Sequence, residues 1–384
     1  MTTLLLAASL ALWSLDTPPT PAAPVAGSGG ASGGADVPSA ARPTPQAANM
    51  APLVSEGIIH APPAEVWRVF TTSDGFKQLG VAHADVDLRI GGLIRSHYSP
   101  SGVLGDEGTI VNQIMAFEPE RMLAIRIHQP PKGFPFMEAY KGTWSVITLT
   151  DLGDGRTHVR ITGIGYDASE ESQKMRNFFK DGNGYTIKVL QSRYDTASPA
   201  PTGPAHPAPA GDASGGADVP SAAVDPLSPI EVETLVAAPR EQVYSWYTTS
   251  AGWKVFVGVD STIDLRVGGP FEIIFGKENP VGQRGSEGCT VLSFIPSEMF
   301  SYTWNVPPTI PHCRNIHTWV VVRFDAVGPA LTRVRLTHQG FSDNAAKETD
   351  KALVADWAKT RAYFAKAWPN VLGALRDHAA KPQR

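Results

Sequence analysis

The sequence lacks most of the features that mark the common functional classes. Only 2 of its 384 residues are cysteine, its formal charge is only −4, and it contains no run of 18 apolar residues. Both cysteines lie in the second half of the chain, so the first half must fold without a disulfide. The small charge argues against a nucleic-acid partner, and the short apolar runs argue against an integral membrane span.

Catalytic signatures are missing as well. The sequence has no G-x-S-x-G motif and no acid, base and nucleophile at a fixed spacing. We therefore predict no cofactor and no metal, and we expect a protein that is not an enzyme.

Proline is concentrated in two stretches. Of the 33 prolines, 16 fall in residues 16–52 and 196–229, where few residues are large and apolar. Such tracts cannot form a packed core, so we interpret 27–52 as a disordered leader and 196–229 as a disordered linker.

The N-terminus has the length pattern of an export signal. Leu4–Leu15 is an apolar block followed by Asp16, which predicts a candidate signal peptide over residues 1–26. The first basic side chain is Arg42, so the block lacks the usual basic n-region. We expect a periplasmic or secreted protein, or a cytoplasmic one if the apolar block is not a signal.

An internal duplication organises the rest of the chain. The segment ASGGADVPSA occurs at 31–40 and again at 213–222, and DLRIGG at 87–92 corresponds to DLRVGG at 264–269. The two DLRxGG segments are offset by 177 residues, and together with the repeated linker they indicate two tandem copies, at 53–195 and 230–380.

Each copy has the same predicted order of elements. An opening strand, short helices and a run of antiparallel strands precede a long terminal helical segment, which is an α+β pattern. Alternation predicts a strand over Asp85–Ile90, closed by the Gly91-Gly92 turn. The helical segments are each expected to be interrupted once, by a break at 181–184 in the first copy and by a break or kink at Pro369 in the second.

These motifs resemble a known family. The AP…VW…TTS segment at 61–73, the two DLRxGG turns and the Trp368, Leu372, Leu375 spacing are similar to the START-like, helix-grip (SRPBCC) superfamily. More narrowly, they resemble the branch named after the C-terminal domain of the activator of heat-shock-protein-90 ATPase. The resemblance implies two tandem helix-grip domains, each a curved antiparallel sheet of six or seven strands around a C-terminal helix.

The same resemblance implies a cavity between sheet and helix. We therefore expect non-catalytic binding of a small hydrophobic or amphipathic, lipid-like molecule. A polyketide-cyclase or hydrolase-type enzyme that uses the second domain is one alternative, and a co-chaperone-like protein-interaction module with an unknown partner is another. Aromatic side chains are the candidates for the cavity walls: Trp67, Phe70, Trp144, Tyr166, Phe179, Tyr185, Trp246, Phe271, Trp304, Trp319, Phe341, Trp357, Phe364 and Trp368.

His338 is the one weak catalytic candidate. It shares strand parity with Val334 and Leu336, so its imidazole should point inward, where it is either a hydrogen-bonded core histidine or a base. The first copy has Gly163 at this position, so only one copy could use such a base.

The two cysteines and the two Asp-Leu-Arg segments each allow both a structural and a chemical interpretation. Cys289 and Cys313 could form a disulfide or remain two part-buried thiols, and the spacing of neighbouring histidines matches no standard zinc pairing. Asp87 and Arg89, like Asp264 and Arg266, could be catalytic, but we interpret them as cross-strand ion pairs on the convex side.

Overall fold

The computed structural model describes residues 51–195 and 225–381. The candidate signal peptide, nearly all of the predicted leader and most of the predicted linker lie outside these ranges. Among the described residues, no helix combines the length and the apolar character needed to cross a membrane.

The first domain is a seven-stranded antiparallel sheet with three helices. Its elements are β1 (Leu53–Ile59), α1 (Pro63–Thr71), α2 (Ser73–Lys77), β2 (His83–Val86), β3 (Leu93–His97), β4 (Ile110–Glu118), β5 (Met122–Gln129), a 3-10 turn (Ala139–Gly142), β6 (Trp144–Asp151), β7 (Thr157–Ile164) and α3 (Glu170–Asp195). The sheet order is β1-β7-β6-β5-β4-β3-β2. The sheet thus follows the chain from β2 to β7, and the opening strand joins beside β7.

The second domain repeats this order with a divided sheet. Its elements are β8 (Ile230–Val236), α4 (Arg240–Thr248), α5 (Ser250–Phe256), β9 (Asp260–Ile263), β10 (Phe271–Ile274), β11 (Val291–Ile295), β12 (Met299–Trp304), β13 (Thr318–Gly328), β14 (Leu331–Gln339), α6 (Phe341–Ala345) and α7 (Lys351–Ala379). Five strands form one sheet in the order β11-β12-β13-β14-β8, and β10-β9 form a separate pair. The predicted α+β fold with two tandem helix-grip domains is confirmed.

The repeated Thr-Thr-Ser segment turns the chain between the two short helices of each domain. The Thr72 hydroxyl accepts a hydrogen bond from the Gly75 N–H at 3.0 Å, and Thr249 does the same for Gly252 at 3.1 Å. A Cβ on Gly75 would lie 1.9 Å from the Arg68 carbonyl oxygen. The motif is therefore a helix cap together with a glycine that the close approach of the backbone requires.

The DLRxGG segments are turns, and the predicted strand over Asp85–Ile90 was wrong beyond Val86. Strand β2 ends at Val86, and Arg89 pairs with Asp87 within the turn, with its Nε 2.7 Å from Asp87 Oδ2. The ion pair is thus exposed, as expected, but local and not cross-strand. Gly91 has φ +75°, a left-handed conformation that favours glycine. The turn therefore begins earlier than the alternation of apolar and polar residues predicted.

Both terminal helices are continuous, so the predicted breaks were wrong. Helix α3 runs through 181–184, because glycine weakens a helix without ending it. Helix α7 runs through Pro369, where burial of Trp368 and Leu372 on either side holds the helix against the sheet. Tertiary packing thus overrides the local cost of proline.

Each terminal helix lies on one face of its own sheet. A Cβ on Gly57 in β1 would come within 2.5 Å of the Ile187 side chain of α3. In the second domain, the Trp368 indole of α7 donates to His338 of β14. By strand alternation, Glu56, Arg160, Thr337 and their neighbours point to the opposite face of each sheet.

These opposite faces pack against each other, and two tryptophans make the same contact in both directions. Trp144 of β6 donates its indole N–H to the Phe294 carbonyl at 3.0 Å, and Trp319 of β13 donates to the Phe117 carbonyl at 2.9 Å. The indole and phenyl rings of each pair lie 4.8 and 4.9 Å apart. Because the residues of one pair correspond to those of the other by the duplication, the interface has the reciprocal form of a two-fold dimer.

A buried ionic cluster adds a contact that the duplication does not repeat. Glu118, only 3% exposed, accepts hydrogen bonds from Arg323 at 2.7 and 2.9 Å and from the Thr337 hydroxyl at 2.8 Å. Burial raises the pKa of the Glu118 carboxyl, but the charge and hydrogen bonds of Arg323, with the Thr337 hydrogen bond, outweigh it and leave the pKa below its usual value. The carboxylate therefore stays charged at neutral pH and bridges the two domains.

Replacing Glu118 with alanine tests this bridge. The Glu118→Ala variant leaves the Arg323 guanidinium without its buried partner, which should cost about 3–5 kcal/mol of stability. Urea unfolding measures the loss. The matched control is Asp325→Asn, which breaks the exposed Arg335–Asp325 pair and should cost less than about 1 kcal/mol. Equal effects of the two substitutions would contradict the buried role of Glu118.

Candidate functional site

Most aromatic candidates of the second domain lie in the core between sheet and helix. The candidates that are at most 5% exposed there are Phe271, Trp304, Phe341, Trp357, Phe364 and Trp368. Trp246 is only partly buried and packs against the His378 ring, 4.7 Å away. Trp319 lies at the interface between the domains instead.

Aromatic rings fill the sheet–helix space of this domain. The ring of Trp304 lies 5.2 Å from Trp368 of α7, and Phe271 lies 4.2 Å from Tyr302. A hydrogen bond of 2.7 Å joins the hydroxyls of Tyr302 and Tyr247. Contacts this close leave little space for a ligand beside these rings.

His338 is completely buried in the same core, and both of its ring nitrogens are engaged. The Trp368 indole donates to Nδ1 at 2.9 Å, and Nε2 lies 2.7 Å from the Thr318 hydroxyl. Because indole is only a donor, Nδ1 must be the acceptor and Nε2 carries the proton. The Thr318 hydroxyl accepts that proton's hydrogen bond and donates its own to the Trp304 carbonyl at 3.0 Å.

This arrangement keeps His338 neutral. Burial lowers the pKa of the imidazole to about 3. The only nitrogen that could accept a proton already binds Trp368, so the geometry is that of a structural histidine that links α7 to the sheet.

The candidates of the first domain are more scattered. Trp67, Phe70 and Tyr166 are buried, Phe179 is partly buried, and Tyr185 is 50% exposed. Trp144 lies at the interface between the domains. Tyr166 packs over β7, where a Cβ on Gly163 would lie 3.1 Å from its ring.

The helix-facing positions of the two sheets differ in size and exposure. The pairing of β5, β6 and β7 corresponds strand by strand to that of β12, β13 and β14. The corresponding pairs, first domain first, are Ile125 and Tyr302, Ile127 and Trp304, Ser145 and Val320, and Gly163 and His338. Ile125, Ile127 and Ser145 are part-exposed, whereas their counterparts are at most 4% exposed. Smaller side chains thus leave these positions of the first sheet partly exposed, although Ile127 packs against the cluster of Phe134, Phe136, Tyr166 and Met175.

Helix α3 is also less tightly packed than α7. Over its 26 residues only Ser172, Met175, Ile187 and Leu190 are buried, and none of them lies between 176 and 186. Ile187 contacts β1, and a Cβ on Gly182 or on Gly184 would meet no atom within 4 Å. At the start of α3, Met175 and Phe179 pack with Phe134 and Phe136. The middle of α3 is therefore loosely packed, and the region between it and the part-exposed strand positions is the candidate space.

The polar side chains near this space were missed by sequence reasoning. Asn112 lies directly opposite Ile127 on β4, and Asn183 lies within the sheet-facing stripe of α3; both are part-buried. Aligning the two copies strand by strand would have found the Ser145 and Val320 difference, but a search for large aromatic residues could not.

The two cysteines are free, buried thiols. Burial raises the pKa of Cys289 to about 12 and that of Cys313 to about 11, so both remain protonated at neutral pH. His312 pairs with Glu348 at 3.0 Å. Within 51–195 and 225–381, no three His, Cys, Asp or Glu side chains are grouped as metal ligands would be.

Comparison with protein families agrees with this architecture. The family described as activator of Hsp90 ATPase homolog 1-like protein matches residues 60–194 and 237–378, which is more than half of the chain. The chain belongs to this family. A search of curated proteins found no match.

Solved structures similar to this family member include single-domain and two-domain proteins. Protein MLL2253 from Mesorhizobium loti is 20% identical, with a TM-score of 0.31, over 38% of this chain and 98% of its own. The Aha1 dimer from Colwellia psychrerythraea is 15% identical, with a TM-score of 0.30, over 38% and 98%. The di-domain ARO/CYC BexL from the BE-7585A biosynthetic pathway is 12% identical, with a TM-score of 0.31, over 87% and 100%.

The buried histidine makes the stability of this family member sensitive to acid. Because the pKa of His338 is lower in the folded chain than in the unfolded chain, stability is full above about pH 6.5 and falls as the pH drops toward about 3. At pH 5 the chain should have lost about 2 kcal/mol of its stability at neutral pH, because the histidine of the unfolded chain binds a proton there and that of the folded chain does not. Urea unfolding at several pH values should show a flatter pH dependence for His338→Gln than for the wild type.

The matched control for this prediction is His128→Gln, at an exposed histidine of β5. It should leave the pH dependence of the wild type unchanged. The account of His338 is contradicted if His338→Gln and His128→Gln show the same pH dependence.

Proposed function

We propose that the first domain binds a small hydrophobic or amphipathic molecule, without catalysis, between α3 and the sheet, and that the second domain is its scaffold. One observation carries this proposal: helix-facing positions that hold Tyr302, Trp304 and Val320 in the second domain hold smaller, part-exposed residues in the first. This difference supports a ligand space between sheet and helix in the first domain.

The walls of this space favour an amphipathic ligand. Ile125 and Ile127 supply apolar surface, and Ser145, Asn112 and Asn183 supply hydrogen-bonding groups that are only part-buried. Ligand sites commonly combine apolar walls with a few polar groups that orient the ligand. No charged side chain is needed for such binding, which favours a neutral or weakly polar molecule.

The enzyme alternative depends on the second domain, and its geometry does not favour it. His338 is fully buried, its acceptor nitrogen is occupied by Trp368, and aromatic rings pack around it. A general base needs a free acceptor within reach of the substrate. The first domain, where space is available, has Gly163 at this position.

Two tryptophan substitutions in the first domain test the proposal. Ser145→Trp places a large ring at a part-exposed, helix-facing position of β6, where the second domain has Val320. Leu152→Trp places the same ring in the exposed turn after β6 and is the matched control. Urea unfolding of both variants checks that the fold is retained. Nile red, a neutral apolar dye, serves as the probe, and its fluorescence reports binding to the full chain.

We expect Ser145→Trp to weaken Nile red binding by about tenfold or more, as a blocked site requires. Leu152→Trp should bind like the wild type. Native mass spectrometry of the purified chain should show any co-purifying molecule on the wild type and on Leu152→Trp but not on Ser145→Trp. Equal binding by the two variants, or no binding by the wild type, would refute the proposal.

A further inference from the structure

A second candidate site lies between the domains, on the face of each sheet that points away from its helix. It is a cleft of about 280 Å³, lined by β4, β5 and the start of β6 from the first domain and by the DLRVGG turn and Phe294 from the second. This volume holds about nine water molecules at liquid density, or one substituted aromatic ring. Neither domain forms the cleft alone.

The base of the cleft is apolar. The Trp144 indole N–H is already bonded to the Phe294 carbonyl, so the ring offers its apolar surface, with the Phe294 ring 4.8 Å away. The side chain of Met115 adds flexible apolar surface beside them.

Three cations border the same cleft, and one of them has no acidic partner among its contacts. Arg126 donates from Nε and Nη2 to the neutral Gln113 amide oxygen, at 3.0 and 2.7 Å. Lys141 pairs with Glu138, and Arg266 pairs with Asp264. Both of these pairs are exposed and therefore weak, so their cations remain available to an anion in the cleft.

Two of these three cations are not repeated by the duplication. Arg266 corresponds to Arg89, but Arg126 corresponds to Thr303 and Lys141 to Ile316, while Met115 corresponds to the apolar Leu292. The apolar packing is thus common to both sides of the interface, whereas the cations of β5 and of the 3-10 turn occur on one side only. Interface packing alone does not require that asymmetry.

We infer that this cleft binds a small organic anion, about one aromatic ring in size, that carries a carboxylate. Its ring packs on Trp144 and Phe294, and its carboxylate accepts hydrogen bonds from Arg126 and Arg266, a pairing for which guanidinium groups are well suited. This site is separate from the α3 space and does not depend on the function proposed for it.

Fluorine NMR titration of the full chain tests this inference, with para-trifluoromethylbenzoate as the probe and its neutral amide as the comparison. We expect the benzoate to bind and the benzamide to bind at least tenfold more weakly. Arg126→Gln and Arg266→Gln should each weaken benzoate binding about tenfold, because each removes one charge-assisted hydrogen bond.

The matched control is Arg89→Gln. Arg89 corresponds to Arg266 in the first DLRxGG turn and has the same local aspartate partner, but it does not line the cleft. It should leave benzoate binding unchanged.

Three results would overturn the inference. They are no detectable benzoate binding, equal binding of benzoate and benzamide, and equal effects of Arg89→Gln and Arg266→Gln. Benzoate binding that is lost in Ser145→Trp and kept in Arg126→Gln would locate the anion beside α3 and would also overturn it. A failure of Nile red to bind beside α3 leaves these outcomes unaffected.

Discussion

The reciprocal tryptophan contacts between the two sheets determine how the rest of the molecule is arranged. Trp144 and Trp319 each cross the interface to a backbone carbonyl, and the apolar residues around them, including Ile295, Met299 and Val321, join one hydrophobic cluster with the first domain. With the backs of the sheets occupied in this way, each terminal helix covers the face of its sheet that points away from the partner domain. The space beside α3 and the cleft between the domains are consequently on opposite faces of the first sheet.

Duplication gave both domains the same strand register but did not keep their interiors alike. In the second domain, large rings on the strands meet Trp357, Phe364 and Trp368 on α7, and His338 links sheet and helix through two hydrogen bonds. In the first, glycine and serine occupy equivalent places, and the middle of α3 is largely polar. In the function proposed above, the packed domain supports a ligand-binding one, since a solid core contributes stability that an open site loses.

The tandem α+β organisation followed from the sequence because repeats, turn glycines and strand alternation are local signals. The inward direction of His338 was likewise predictable from parity. The continuity of α7 through Pro369 was not, because it depends on the burial of Trp368 and Leu372. The interface could not be predicted either, because nothing in the local sequence distinguishes Trp144 and Trp319 from core tryptophans. Glu118 likewise resembles any glutamate at the end of a strand until the fold places Arg323 and Thr337 beside it.

Differential scanning calorimetry of the full chain tests most directly whether the two domains form one cooperative unit. If the tryptophan contacts and the buried Glu118 cluster couple them, the domains should unfold in a single transition whose calorimetric and van't Hoff enthalpies agree. Two separate transitions, each with the enthalpy of one domain, would contradict this account.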